Sequence, residues 1–174
     1  MPGLIRASLL LPGTVLIIIP AALLWLSRGS RYAASLAAPN EARFWLGLVL
    51  LSLGLFLAIW TVRLQLTIGE GTPAPWDPPK KLVIKGPYQY VRNPMITGAV
   101  LILAAESLLL GSWLIALWTA LFLLMNLLYL PLVEEKDLEK RFSDSYRQYK
   151  AHVPRWIPRT RPWISPVNSN GEQI

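Results

Sequence analysis

The sequence predicts an all-α integral membrane protein with about four transmembrane helices. Of its 174 residues, 53% are hydrophobic, and the mean hydropathy is positive. The hydrophobic residues gather in four runs, at 7–26, 44–62, 95–110 and 112–133. Since ~20 apolar residues cross a bilayer as a helix, the third run alone is short. Backbone groups in lipid must bond internally, so these runs are expected to be helical.

Residues 1–66 are predicted to form two N-terminal transmembrane helices. The first run resembles a signal peptide, because Arg6 precedes a hydrophobic stretch. It is longer than the hydrophobic part of most signal peptides, and no clear cleavage site follows it. A retained helix is therefore the favoured interpretation, with the second run forming the next helix.

Residues 67–94 are predicted to form a Pro-rich cytosolic loop. Its prolines remove backbone donors and restrict the residues before them, so a helix is excluded. Pro94 suits the first turn of the third helix, where an N–H is not needed. Lys and Arg number four in this loop and eight after residue 133, against none in the turn at Gly111. Positive residues collect on the cytosolic side of membranes, which places the loop and the C-terminal tail there.

Residues 95–159 are predicted to form a helical hairpin followed by a cofactor-binding tail. Arg92 lies 19 residues before the turn at Gly111, and Glu134 and Glu135 lie 23 and 24 residues after it. At ~1.5 Å per residue, antiparallel helices place these groups within roughly 6–8 Å of the same depth. The arginine and the acids are therefore expected at one rim of the membrane, with at most one acid facing a given neighbour.

The segment after Pro131 changes character. Apolar and charged residues alternate as in an amphipathic helix, which we expect to run to about Ala151 on the cytosolic side. The prolines of residues 153–159 indicate an extended tail, and residues 160–174 are predicted to be flexible.

Composition also limits the chemistry. The chain has no cysteine, and His152 is its single histidine, which argues against thiol catalysis and multi-histidine metal sites; no metal site is predicted. The net charge of +7 follows membrane topology, so a lipid bilayer is the expected partner and nucleic acid is not. The oligomeric state stays open.

The most informative motif begins at residue 86 and reads GPYQYVRNPMITG. It is followed by the apolar hairpin, the Glu134–Glu135 pair and an aromatic, Pro-rich tail. This order resembles the isoprenylcysteine carboxyl methyltransferase family, which includes phospholipid N-methyltransferase relatives, over roughly residues 69–159. Five positions match the family pattern: Arg92, Pro94, Gly98, Glu134 and Glu135. Asn93 replaces a histidine and Ile96 replaces a tyrosine.

The resemblance implies that S-adenosylmethionine binds between the hairpin and the tail. Arg92 would bind its carboxylate, and Glu134 or Glu135 its ammonium group or ribose hydroxyls. Tyr88 and Tyr90 would stack on adenine or line the entrance. Gly98 would allow close approach of the ligand, beside Asn93 and Pro94. The chemistry of methyl transfer adds the candidate catalytic residues Glu134, Glu135 and Arg155. Arg155 or Arg159 would hold a carboxylate acceptor, whereas Glu134 or Glu135 would remove the proton of an amine or phenol acceptor.

The favoured function is methyl transfer to a hydrophobic or lipid-like acceptor, whose reacting group, a carboxylate, amine or thiol, stays open. One alternative is an NADPH-dependent membrane reductase, because the sterol-reductase group resembles the same C-terminal region. The other alternative is a non-catalytic membrane subunit, which the changes at Asn93 and Ile96 keep in consideration.

Overall fold

Helices account for all the regular secondary structure in residues 12–30, 33–71 and 79–164, which are the residues that this computed structural model describes. The helices are α1 (Thr14–Leu26), α2 (Ala42–Thr67), a 3-10 turn (Gly86–Gln89), α3 (Pro94–Leu109), α4 (Trp113–Tyr129), a π-helical turn (Leu130–Glu134) and α5 (Glu135–His152). The all-α prediction is confirmed.

Two helical stretches are long and apolar enough to cross a membrane. These are α2, with 26 residues, and the continuous stretch Trp113–His152, whose apolar part is α4. The other two predicted spans are shorter, because α3 has 16 residues and α1 begins at Thr14. Residues 1–11, which include the start of the first predicted run, lie outside the described residues. Many large apolar side chains on α2 and α4 are exposed, as lipid-facing helices require.

Helices α2 and α3 pack closely because small residues face each other. Gly47, Gly54 and Thr61 recur every seventh residue along α2, and all three are buried. A Cβ atom on Gly54 would lie 2.9 Å from the carbonyl oxygen of Gly98 on α3. Small residues at such spacings let helix backbones approach within the apolar layer, where dispersion contacts replace the hydrophobic effect.

A tight turn at Gly111 joins α3 to α4, as predicted. Gly111 has φ +54°, and a Cβ atom there would lie 2.5 Å from the carbonyl oxygen of Ser35. The segment before α2 covers this turn through hydrogen bonds from the Ser35 and Ala37 N–H groups to the carbonyls of Leu110 and Leu109, at 3.0 and 2.8 Å. Glycine is required here because the backbone is left-handed and closely covered.

The passage from α4 to α5 contains two irregularities. Pro131 has no N–H to donate and crowds the preceding turn, and the helix widens there into a π-helical turn. The Glu135 N–H then bonds to the carbonyl of Leu130, five residues back. Ser143 interrupts α5 with φ +43° and ψ −119°. Helical structure extends to His152, close to the predicted end at about residue 151, but the interruption at Ser143 divides α5 and was not predicted.

An aromatic cluster holds the tail against α5. It consists of four buried residues: Tyr146, Tyr149, Val153 and Trp163. The loop before α3 contributes Leu82 and Ile84, so the loop, α5 and the tail share one small core. Because Trp163 is buried, the packed tail extends beyond residue 159, where the sequence predicted flexibility to begin. Residues 165–174 lie outside the described residues.

Removing the Tyr149 hydroxyl tests this cluster. It donates a 2.7 Å buried hydrogen bond to the carbonyl of Tyr88. We expect Tyr149→Phe to lower the free energy of unfolding by about 1–2 kcal/mol, since the carbonyl is left buried without this donor. SDS titration in mixed micelles measures this change. Tyr129→Phe, at an exposed tyrosine on α4, is the matched control and should change little. Equal effects of the two changes would contradict the assignment.

Candidate functional site

Arg92 and Glu135 meet at one end of the α3–α4 hairpin. The Arg92 Nη1 atom donates to Glu135 Oε1 at 3.0 Å, although 43 residues separate the two. Both side chains are buried, with 10% and 6% of their surface exposed. The prediction that Arg92 lies close to the acidic pair is therefore confirmed for Glu135.

Two further cations share the Glu135 carboxylate. Arg155 Nε donates to Glu135 Oε1 at 2.7 Å, and Lys150 Nζ lies 3.4 Å from Oε2. Lys150 also lies 3.8 Å from Glu139. Three cations therefore face two carboxylates, which leaves an excess of one positive charge. We call Arg92, Glu135, Glu139, Lys150 and Arg155 the ion cluster. Sequence reasoning missed Lys150. On an unbroken helix the 15 residues from Glu135 would place it about 22 Å away along the axis. The contact therefore depends on the interruption at Ser143, which divides α5 and brings its second half back toward Glu135.

The charge of Glu135 is stabilised by its surroundings. Burial alone would raise the pKa of this carboxyl. The hydrogen bond from Arg155 and the charges of Arg92 and Arg155 outweigh burial and hold the pKa below its ordinary value. Glu135 therefore stays ionised, holds the neighbouring cations in place, and accepts a proton only weakly.

The tail is bonded directly to the residues that carry Arg92. We call residues 153–163 the strap. The Arg92 N–H donates to the Pro154 carbonyl at 2.9 Å, and the strap residues Arg159 and Trp163 donate to the carbonyls of Tyr90 and Gln89, each at 3.0 Å. These bonds fix Arg155 beside Arg92.

Asn93 also contacts the strap. Its Nδ2 donates to the Arg155 carbonyl at 3.4 Å. Asn93 lies directly before α3, and Pro94 occupies the first position of that helix, as predicted. The Asn93 amide thus helps to hold the strap in place. This role requires a hydrogen-bond donor but not a side chain that gains or loses a proton.

Glu134 lies apart from the ion cluster. Its side chain is exposed, and no hydrogen bond or ion pair joins it to another described residue. The structure therefore separates the adjacent glutamates: Glu135 faces Arg92 and Glu134 does not. Because a π-helical turn adds one residue to the helix, Glu135 occupies the direction that Glu134 would take on an uninterrupted α-helix.

The two predicted tyrosines differ in exposure. Tyr88 is buried, and Gln65 Nε2 donates to its hydroxyl oxygen at 3.0 Å. Burial raises the pKa of Tyr88 to about 12, although the hydrogen bond from Gln65 opposes this. Tyr90 is half-buried, so its ring offers more surface to a ligand. Gly98 faces α2, where its missing side chain allows close helix packing, and its role toward a cofactor stays a prediction.

Two buried donors at this end of the hairpin have no hydrogen-bond partner among the described residues. They are Arg92 Nε and the indole Nε1 of Trp156, a strap residue that sequence reasoning did not select. Buried polar groups are almost always bonded, so an unpaired donor in a charged site indicates a ligand or water position. His152, by contrast, is exposed and stacks on Trp163.

Comparison with known proteins identifies the family. The phospholipid methyltransferase family model matches residues 42–145, which include α2, α3, Arg92 and Glu135. An uncharacterized protein of Haemophilus influenzae is 40% identical over 63 residues, its whole length and 36% of this chain. No solved structure matches.

The family match covers more than half of the chain, and it agrees with the resemblance carried by the motif from residue 86. It also agrees with the apolar helices, which indicate a membrane protein. The chain belongs to the phospholipid methyltransferase family.

Proposed function

We propose that the protein transfers a methyl group from S-adenosylmethionine to a hydrophobic or lipid-like acceptor at the membrane surface. The family match supports methyl transfer in general. The observation that carries the finer proposal is the buried Arg92 Nε donor, which has no partner among the described residues although it adjoins an ion cluster with excess positive charge.

The donor set of the site fits the cofactor. Its amino-acid end carries a carboxylate and an ammonium group. Arg92 Nε can donate to the carboxylate while Nη1 stays bonded to Glu135. Glu134 is free to receive the ammonium group or ribose hydroxyls, since it lies outside the cluster. Among the tyrosines, Tyr90 is the better candidate for stacking on adenine, because it is the more exposed.

Positioning is the main task of these residues. When bound, the cofactor supplies an electrophilic methyl group on a sulfonium whose sulfur leaves uncharged. Proton transfer is then a minor requirement, and orientation can supply up to ~7–11 kcal/mol of rate enhancement. The strap, bonded to both Tyr90 and Arg92, orders the site and limits its exposure to water.

The reacting group of the acceptor determines whether a base is needed. A carboxylate acceptor needs none, and Arg155 could hold it by exchanging part of its contact with Glu135. An amine acceptor must lose a proton. Glu134 is the better base, because Glu135 is ionised and paired with three cations.

The placement in the cell follows from charge. The ion cluster, the loop before α3 and the strap all belong to the Lys- and Arg-rich end of the bundle. We therefore propose that this end faces the cytosol, where the cofactor is available, while the acceptor enters between helices from the bilayer.

A binding assay tests the proposal. We expect the purified protein in detergent to bind S-adenosylhomocysteine at micromolar concentration in isothermal titration. Arg92→Lys should weaken binding at least tenfold, because lysine keeps the charge and loses the planar fork that serves two acceptors at once. His152→Ala, at an exposed strap contact, is the control and should bind normally.

The competing readings give different results in the same assay. Binding of NADPH in place of S-adenosylhomocysteine would support a reductase and overturn the proposal. Binding of neither would support a non-catalytic subunit. Normal binding of S-adenosylhomocysteine by Arg92→Lys would leave the cofactor assignment standing and remove Arg92 from it.

A further inference from the structure

One exposed face of α4 continues into α5 and changes from apolar to basic. Leu124, Leu128 and Leu132 recur every fourth residue and are exposed. The same spacing next reaches Lys136 and Lys140, which are also exposed. Four residues advance an α-helix by slightly more than one turn, and the extra residue of the π-helical turn at Leu130–Glu134 offsets much of this drift, so these side chains lie on one side of the helix. The lipid-facing side of α4 therefore becomes basic where its apolar segment ends.

The lysines are at the depth of lipid headgroups. Lys136 and Lys140 lie three and seven residues beyond Val133, the last residue of the apolar run. At ~1.5 Å per residue these are distances of about 5 and 10 Å. The headgroup layer is roughly 5–8 Å thick on each side of the hydrocarbon core. Flexible lysine stems can return the outer ammonium group to this layer.

A shallow, open depression lies on this face of α5, and all of its lining residues belong to α5. Its lining is mainly basic, with one acid and one hydroxyl: Lys136, Glu139, Lys140, Ser143 and Arg147. Two of the charged residues are engaged elsewhere. Glu139 faces Lys150 of the ion cluster, and Arg147 bonds to Asp144 at 3.1 Å.

The remaining polar groups of the depression lack partners among the described residues. No ion pair holds Lys136 or Lys140, and no hydrogen bond holds the Ser143 hydroxyl. Two lysines four residues apart on a helix repel each other. This repulsion lowers stability unless an anion lies between the two ammonium groups.

The backbone at the depression is strained. Ser143 has φ +43° inside α5, a conformation that costs a non-glycine residue about 1–3 kcal/mol. The interruption bends the helix beside Lys140 and leaves the Ser143 side chain exposed. Strain of this kind is concentrated at binding sites.

We propose that this depression binds the phosphate-bearing headgroup of an anionic membrane lipid. Lys136 and Lys140 supply the positive charge. The bilayer is the source, because the depression directly continues the exposed leucine face of α4. The site does not depend on methyl transfer, since neither lysine forms an ion pair with the ion cluster.

Lipid binding to the purified protein tests the site. Native mass spectrometry in detergent would compare phosphatidylglycerol with phosphatidylcholine of the same acyl chains. We expect preferential retention of phosphatidylglycerol and about a tenfold loss of its affinity in Lys136→Gln/Lys140→Gln. Lys80→Gln/Lys85→Gln removes the same charge from the loop before α3 and should bind as the unchanged protein does.

Three results would overturn the proposal. They are equal retention of the two lipids, equal losses in the two double variants, and displacement of the lipid by inorganic phosphate at millimolar concentration. Failure here leaves the cofactor assay unaffected, because that assay measures S-adenosylhomocysteine at the ion cluster.

Discussion

Glu135→Ala is expected to lower the free energy of unfolding by about 3–5 kcal/mol. The change removes the carboxylate that pairs with Arg92 at 3.0 Å and Arg155 at 2.7 Å. Arg92 is 10% exposed, so it would remain buried without the carboxylate. Breaking a buried ion pair on one side is costly because the surviving charge keeps its desolvation penalty. SDS titration in mixed micelles measures the change.

The adjacent residue is the matched control for this experiment. Glu134→Ala removes the same side chain from an exposed position and should change the free energy of unfolding by about 0.5 kcal/mol or less. Glu135→Gln should retain part of the stability, since its amide oxygen can still accept from Arg155. Similar destabilisation by the two alanine changes would show that the glutamates contribute equally and would contradict the observed geometry.

The sequence was sufficient to predict that Arg92 lies close to the Glu134–Glu135 pair. The prediction depended on counting residues from the turn at Gly111, and helical rise is the same in almost any context. It could not decide which glutamate faces Arg92. That choice depends on the π-helical turn that contains Pro131. A proline predicts a disturbed helix, but it does not determine in which direction the following side chains point.

The partners of the cluster were harder to predict for a related reason. Arg155 was expected near the acceptor, and the structure places it on Glu135. Lys150 was not selected, because a lysine in a basic amphipathic helix usually faces solvent. The position of Arg155 follows from the strap, whose bonds to Gln89, Tyr90 and Arg92 are long-range backbone contacts that no local pattern records. The position of Lys150 follows from the interruption of α5 at Ser143, which the sequence did not predict.

The small-residue stripe of α2 shows a similar limit. Gly47, Gly54 and Thr61 have the spacing of a helix-packing face, but their partner is recognisable only once α3 is known to lie against them. Gly98 illustrates the consequence. As part of the family motif it was assigned to the cofactor, whereas in the fold its open side meets Gly54 and Ala58.

Gly54→Val is expected to lower the free energy of unfolding by about 1–3 kcal/mol or more. A Cβ atom on Gly54 would lie 2.9 Å from the Gly98 carbonyl oxygen and 3.0 Å from the Ile102 N–H nitrogen. Both are backbone atoms of α3, so the two helices must separate to admit a side chain, and overpacking of this kind costs stability. SDS titration measures the loss.

Cofactor affinity should fall together with stability in this variant. Arg92 lies two residues before α3, so displacement of that helix moves Arg92 relative to Glu135 and the strap. We expect at least a tenfold weaker binding of S-adenosylhomocysteine. Gly13→Val is the control, because a Cβ atom on Gly13 has no neighbour within 4 Å. Unchanged stability in Gly54→Val would mean that α2 and α3 are not held by close backbone contact, and the placement of Arg92 would then need another explanation.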